Sequence, residues 1–200
     1  MKRKKVPVLS NFSEEENLRI EQERSAASSR GVQFAVDLEP FPAINAGAPL
    51  PHVVSNESAT AVVFHSSRGG EDRGVAWALF RGVASFSLGS PNDETLSGHP
   101  LYGSGLRFYA AHEVINSVAI KQLETLNRVH PRHNPSRFES LRHFVLAFHD
   151  STFECICADF EVGKSTDAKF DDVLRTALTA LKGRAWPETA NRSPRAESNC

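Results

Sequence analysis

The stretch 141–162, LRHFVLAFHDSTFECICADFEV, constrains this chain more than any other. Two β-rich runs flank Asp150-Ser151, which reads as a hairpin. A two-residue turn sets His149 opposite Thr152, Ala147 opposite Glu154 and Val145 opposite Ile156. Side chains alternate across a strand. One face then carries Phe144, Leu146, Phe148, Phe153, Cys155 and Cys157. That face is apolar and must be core. The other face carries His143, Val145, Ala147, His149, Thr152, Glu154 and Ile156. A longer turn keeps this division only if its length changes by an even number.

The remaining elements follow from period and punctuation. TAVVFHS, from Thr60, is a short strand. VAWALFRGVASFSLG reads as one long strand, with Gly82 as a bulge or bend. Ser90-Pro91-Asn92-Asp93-Glu94 opens a short helix, with Ser90 as cap, Pro91 at the first position and acids in the first turn. Gly98 and Pro100 end it. RFYAAHEVI is a strand. NSVAIKQLETLNR then switches to helical spacing behind Asn116 or Ser117. KFDDVLRTALTALKG carries a helical apolar stripe ending at Gly183. The expected fold is α+β: a single antiparallel sheet with two main helices packed on it and disordered N- and C-terminal tails.

The globular α+β domain is expected to span 59–183. Residues 1–58 read as a mostly irregular extension with a Pro-rich linker. A polar helix from Glu14 to about Ala27 stands behind a Ser13/Glu16 capping box. Its apolar residues are too few for a stripe, so removing residues 1–50 is expected to leave folding intact. The basic tetrad Lys2–Lys5 reads as a solvated tail, and 184–200 as a disordered tail.

Charge and composition narrow the function. The 200 residues carry a formal net charge of −1, and 40% are hydrophobic. That supports a buried core and argues against a generally basic nucleic-acid binder. No apolar run approaches the roughly 18 residues of a membrane span, and the N-terminus lacks the apolar region of a signal peptide. Three cysteines without a pairing pattern suit a reducing, cytoplasmic setting. Gly163-Lys164-Ser165-Thr166 resembles the end of a phosphate-binding loop, but Ala158 stands where the earlier glycine is required. There is no G-x-S-x-G and no dinucleotide fingerprint, so no cofactor is implied.

Eight histidines, six of them between His99 and His149, invite an acid–base or metal hypothesis. Glu154 stands in a core hairpin, diagonal to His149 and near Asp150. A His–carboxylate pair there is a general base with its orienter, or a pair of metal ligands; the competing explanation is a solvated ion pair. Glu113, in mid-strand, is a second candidate. His149, Glu154 and Glu113 are therefore the candidate catalytic residues. Asn92, Asp93, Glu94, His99 and Asp150 are candidate binding residues, although the acids after Pro91 have a sufficient role at the helix start.

SPNDETLSGHPLYGSGL and RHFVLAFHDSTFECICADF, joined by HEVINS and LNRVHP, resemble a family of small bacterial proteins marked by PNDE, GHPL and FHDSTFEC. The resemblance spans roughly residues 60–162 and implies common descent, but no activity, substrate or cofactor. Two function classes remain. One is a non-enzymatic, partner-binding module of immunity or regulatory type, with a protein or small molecule as partner. The other is a small acid–base or metal-dependent hydrolase-like enzyme built on the His/Glu/Asp cluster. The oligomeric state is left open.

Overall fold

The computed structural model describes residues 13–29, 31–38, 41–68 and 71–182. The elements run α1 (Glu14–Ser29), β1 (Phe34–Asp37), β2 (His52–Ser55), β3 (Ala59–Arg68), β4 (Glu71–Arg81), β5 (Ser85–Gly89), β6 (Ala111–Ile115), α2 (Val118–Asn127), β7 (Arg142–Ala147), β8 (Thr152–Cys157), β9 (Asp159–Ser165) and α3 (Phe170–Ala180). Two 3₁₀ turns, Asp93–Gly98 and Pro135–Ser140, complete the set. The strands form two antiparallel sheets, ordered β1-β6-β7-β8-β5 and β2-β3-β4-β9. The expected single sheet is thus corrected to two.

The reason lies at one corner. The stretch that reads as one long strand breaks at Gly82, and the second half of the hairpin breaks at Ala158. β4 pairs with β9 up to Arg81 opposite Asp159, and β5 pairs with β8 from Ser85 opposite Ile156. Ala158 N–H donates to Arg81 O at 3.0 Å, and Ala84 N–H to Ile156 O at 2.8 Å. A single antiparallel ribbon therefore passes from one sheet to the other. Gly82 has φ +60°, and a Cβ there would lie 2.9 Å from Ala158 Cβ. Only glycine takes this bend without strain.

Between the sheets lies the main core. Phe80 of the second sheet packs on Phe144 and Phe153 of the first, at centroid distances of 5.7 and 5.4 Å, and Phe64 meets Phe148 edge-on at 5.3 Å. The apolar hairpin face is buried as the alternation requires, Cys155 and Cys157 included. The Cys157 sulfur beside it, with burial, keeps the Cys155 thiol protonated. The hairpin loop is longer than expected: Ala147 pairs with Thr152, Val145 with Glu154 and His143 with Ile156. The slip is an even number of residues, so the faces are unchanged.

α3 covers the outer face of the second sheet, with Val173, Ala177 and Ala180 against Ala61, Val63, Trp77 and Leu79. β4 is buried on both faces, which is why VAWALF is continuously apolar. Gly163 belongs to β9 rather than to a phosphate loop; a Cβ there would meet the Trp77 ring at 2.5 Å. The outer face of the first sheet is covered by the segment after β5, where Leu96, Leu101 and Leu106 pack on Val114, Val145 and Ala147. Its 3₁₀ turn is capped by Asn92, which accepts Thr95 N–H at 3.2 Å, not by Ser90. The Ser90–Pro91 peptide is cis.

Residues 13–58 contribute more than an irregular linker. The capping box forms, with Ser13 N–H donating to Glu16 Oε2 at 2.7 Å. Ile20, Leu38 and Ile44 enter the main core, and β1 pairs with β6. Dispensability of residues 1–50 therefore no longer follows. The basic tetrad and the segment 184–200 lie outside the described residues. Gly82→Val is expected to lower stability by about 2 kcal/mol or more, through the left-handed φ and the collision with Ala158. Denaturant titration checks this; a loss below about 0.5 kcal/mol, the size of an ordinary surface substitution, would show that the corner tolerates a side chain.

Candidate functional site

Four polar clusters lie in or beside the first sheet, and they sort the histidines and carboxylates differently from the sequence expectation. Glu154 is the hub of the first. It does not pair with His149. His143 Nε2 donates to Glu154 Oε2 at 2.9 Å, and His99 Nε2 to Oε1 at 3.2 Å. The longer hairpin loop accounts for this: it draws His143 level with Ile156, diagonal to Glu154, and removes His149 from the strand. His99 is brought over the sheet by the Leu96–Leu101–Leu106 plug.

The backbone sets the tautomers. Leu101 N–H donates to His99 Nδ1 at 3.1 Å, so the proton of neutral His99 is on Nε2, facing Glu154. With two N–H donors, chiefly His143 and then His99, Glu154 is drawn down to about 2 despite desolvation. As a carboxylate it fixes a proton on His143 Nε2. His143 Nδ1 is then an acceptor, and it lies 2.9 Å from Ser117 Oγ. Ser117 Oγ in turn accepts Ile120 N–H at 3.2 Å as cap of α2, which leaves its own proton for His143.

The chain folds Ser117 into place through a strand–turn–helix. β6 ends at Ile115, and Asn116 takes φ +55°, a conformation asparagine tolerates better than most residues. Its amide donates to Val32 O at 3.1 Å. Val118 N–H, at the first turn of α2, donates to Gln33 Oε1 at 2.8 Å. Ser117 borders a cleft of about 560 Å³ whose other walls include Ile120, Lys121, Phe138, Leu141 and Arg142.

Glu113 sits in a different setting. It is buried, and it accepts from Arg142 Nε at 2.8 Å, Arg142 Nη2 at 2.7 Å and Arg24 Nε at 2.7 Å, with Arg24 Nη2 also in contact. Burial alone would raise its pKa, but the Arg142 hydrogen bonds and the two guanidinium charges outweigh this and hold it below the ordinary value. A carboxylate so neutralised is a strut between α1, β6 and β7, not a base.

His149 belongs to a third cluster. Asp93 Oδ2 accepts from His149 Nδ1 and from Tyr109 O–H, both at 2.6 Å. The Tyr109 bond, then the His149 bond, lower the Asp93 pKa, and Asp93 raises that of His149. Tyr109 holds φ +54° to make this contact. Asn92 is the turn cap, Glu94 follows Asp93 in the same first turn, and Asp150 lies in the hairpin loop, adding negative potential at His149. In the fourth cluster His112, fully buried, has Nε2 3.1 Å from Asp37 Oδ1 while accepting Arg107 N–H at 3.0 Å.

The sequence reading overlooked Ser117 as anything but a helix cap, and did not single out His143. The outward phase of His143 in the hairpin was the available signal; the helix that brings Ser117 to it was not visible as a neighbour. Among the described residues no group of three or more His, Cys, Asp or Glu is placed to hold a metal ion, and no helix is long and apolar enough to cross a membrane. No family model matches the chain, nor does any curated protein or solved structure.

Burial pushes His112 down to about 4 from an ordinary 6.5. The unfolded chain therefore binds a proton that the native state refuses as pH falls from 6.5 to 4, and stability is lost across that window, by about 3 kcal/mol. Glu154 adds a further loss between its ordinary 4.5 and about 2. His149, raised by Asp93, acts in the opposite sense above its unfolded value, but it is exposed and screened. Denaturant melts at pH 7, 5 and 4 are expected to show a smaller decline in His112→Gln than in the wild type. Equal declines would mean that His112 is not held neutral.

Proposed function

We propose that the protein is a serine-dependent acyl hydrolase, with Ser117 as nucleophile, His143 as general base and Glu154 as the carboxylate that orients it. The reading is carried by one observation, the unbroken chain from Ser117 Oγ through His143 Nδ1 and Nε2 to Glu154 Oε2, with 2.9 Å at each link. In the proposed reaction Ser117 Oγ attacks an acyl carbonyl carbon and its proton passes to His143 Nδ1. The imidazolium is stabilised by Glu154 and returns that proton to the departing alcohol. Water, deprotonated by the same imidazole, then attacks the acyl carbonyl carbon; the acyl–Oγ bond breaks, the acid leaves and the imidazolium returns its proton to Ser117 Oγ. The ring is used in the opposite sense to the familiar serine hydrolases, Nδ1 toward serine, which does not alter its basicity in kind. Backbone N–H groups at a helix start suit an oxyanion, and Val118 N–H already holds an amide oxygen, that of Gln33. A substrate carbonyl would take that place. His99 positions Glu154.

A fluorophosphonate probe followed by intact-mass analysis tests the reading. Wild type is expected to gain one adduct on Ser117, Ser117→Ala none, and Glu154→Gln to react slower by roughly 10²-fold or more. Folded wild-type protein that stays unlabelled would overturn it.

A second reading, the partner-binding module, is favoured by β5. All five of its residues are exposed, it is an edge strand, and Phe86 and Leu88 are 43% and 42% exposed. The edge carries no charge, proline or bulge to prevent pairing. Antiparallel pairing with a second copy about Ser87 sets Phe86 against Leu88 on one face, a closed two-fold contact. Light scattering is expected to show a concentration-dependent dimer that Ser87→Pro abolishes; a monomer throughout would remove this reading.

A further inference from the structure

We infer that the cleft beside Ser117 receives a carboxylate carried by the acyl part of the substrate, so that the esters it accepts are monoesters of dicarboxylic acids. The inference rests on the acyl-hydrolase reading and names its substrate class.

The argument starts from Arg142. It is 8% exposed and lines the cleft. Its Nε and Nη2 are both spent on Glu113, and its guanidinium carbon stands 4.7 Å over the Phe144 ring. Nη1 is out of contact with water and donates to nothing among the described residues. A buried cationic N–H without an acceptor is costly, and native structures rarely leave one. Glu113 does not relieve it: Oε2 already faces Arg24 and Arg142, and Oε1 takes Arg142 Nε. Glu21 answers Arg24 on its far side, not Arg142.

Arg142 lines the cleft, so a ligand carboxylate that displaces the groups sealing Nη1 from water meets that donor. Lys121, one turn into α2, is exposed at its wall and has no ion-pair partner among the described residues. Of the acids along the same wall, Glu113 is neutralised as described and Glu124 is held by Arg128 at 2.9 Å and His133 at 2.9 Å. Glu139, which also lines the cleft, has a partner of its own. Ile120, Phe138 and Leu141 give the apolar wall that a short methylene chain would cover. Ser117 borders the same space, so a carboxylate near Arg142 and Lys121 leaves its ester carbonyl toward Ser117. A neutral ester has nothing to offer either cation.

Two measurements on the full chain test this. Ser117→Ala is titrated with glutarate while the arginine Nε–Hε NMR signals are followed. Wild type is assayed on 4-nitrophenyl acetate and on mono-4-nitrophenyl glutarate. Glutarate is expected to shift the Arg142 signal saturably. The charged ester is expected to be preferred in kcat/KM by about tenfold or more, since a site built for a polar group rejects substrates lacking it. Lys121→Met, a substitution at an exposed position, is expected to reduce that preference severalfold. Arg142→Lys should weaken glutarate binding, but only Lys121→Met is free of the Glu113 cluster and so decides if Arg142→Lys fails to fold. Hydrolysis of both esters at equal rates with no glutarate response would overturn the inference and leave the hydrolase reading standing. Saturable glutarate binding with neither ester hydrolysed would support the carboxylate site and sink the hydrolase reading.

Discussion

The bend at Gly82 and Ala158 is the constraint on which the rest depends. One antiparallel ribbon feeds two sheets there, with the backbone hydrogen bonds carried around the corner. The bend lays Phe80 and Phe160 over Phe144 and Phe153, and so creates the main core. It also decides what each sheet shows outward. The second sheet presents small and β-branched residues to α3. The first presents Val114, Val145 and Ala147 beside His112, His143 and Glu154, a face half apolar and half ionisable. A flat, single sheet would have left that face open to water. The return of the chain after β5 covers it instead, and the leucines of that segment bring His99 onto Glu154.

Much of this was legible. The hairpin faces survived a loop two residues longer than expected, both taken from the end of β7, because the period of two makes even slips harmless. Ser117 as cap, the α3 stripe and the Ser13/Glu16 box all depend on neighbours within four residues. What escaped reading depends on contacts distant in sequence. Nothing local to Gly82 distinguishes a bulge from a change of sheet; the difference is Ala158, 76 positions away. Likewise α1 lacks an apolar stripe and reads as loose, yet Arg24 reaches Glu113 across 89 positions and docks it by charge. Asp93 reads as a helix-start acid, and it is one, but its carboxylate also holds His149 and Tyr109.

Glu113 and Glu154 show why residue type alone does not identify a site. Both are glutamates within strands of the same sheet, and both are ionised with lowered pKa values. Their donors differ. Guanidinium groups never give up a proton near neutrality, so the bonds Glu113 accepts from Arg24 and Arg142 are fixed, and the cluster can only hold elements together. Imidazoles exchange protons in the physiological range. In the proposed reaction Glu154 therefore ends the path along which a proton moves from Ser117 to His143, while remaining charged itself. The second imidazole, His99, is barred from that path by its bond from Leu101 N–H, which keeps its Nδ1 occupied as an acceptor. One histidine is tied to the backbone at Nδ1 and the other is linked there to a serine hydroxyl, and the difference is a single backbone N–H. The outer face of the first sheet thus combines an ionised carboxylate, an imidazole that links it to a hydroxyl, and a serine fixed by its helix cap, the arrangement on which the proposed acyl transfer rests.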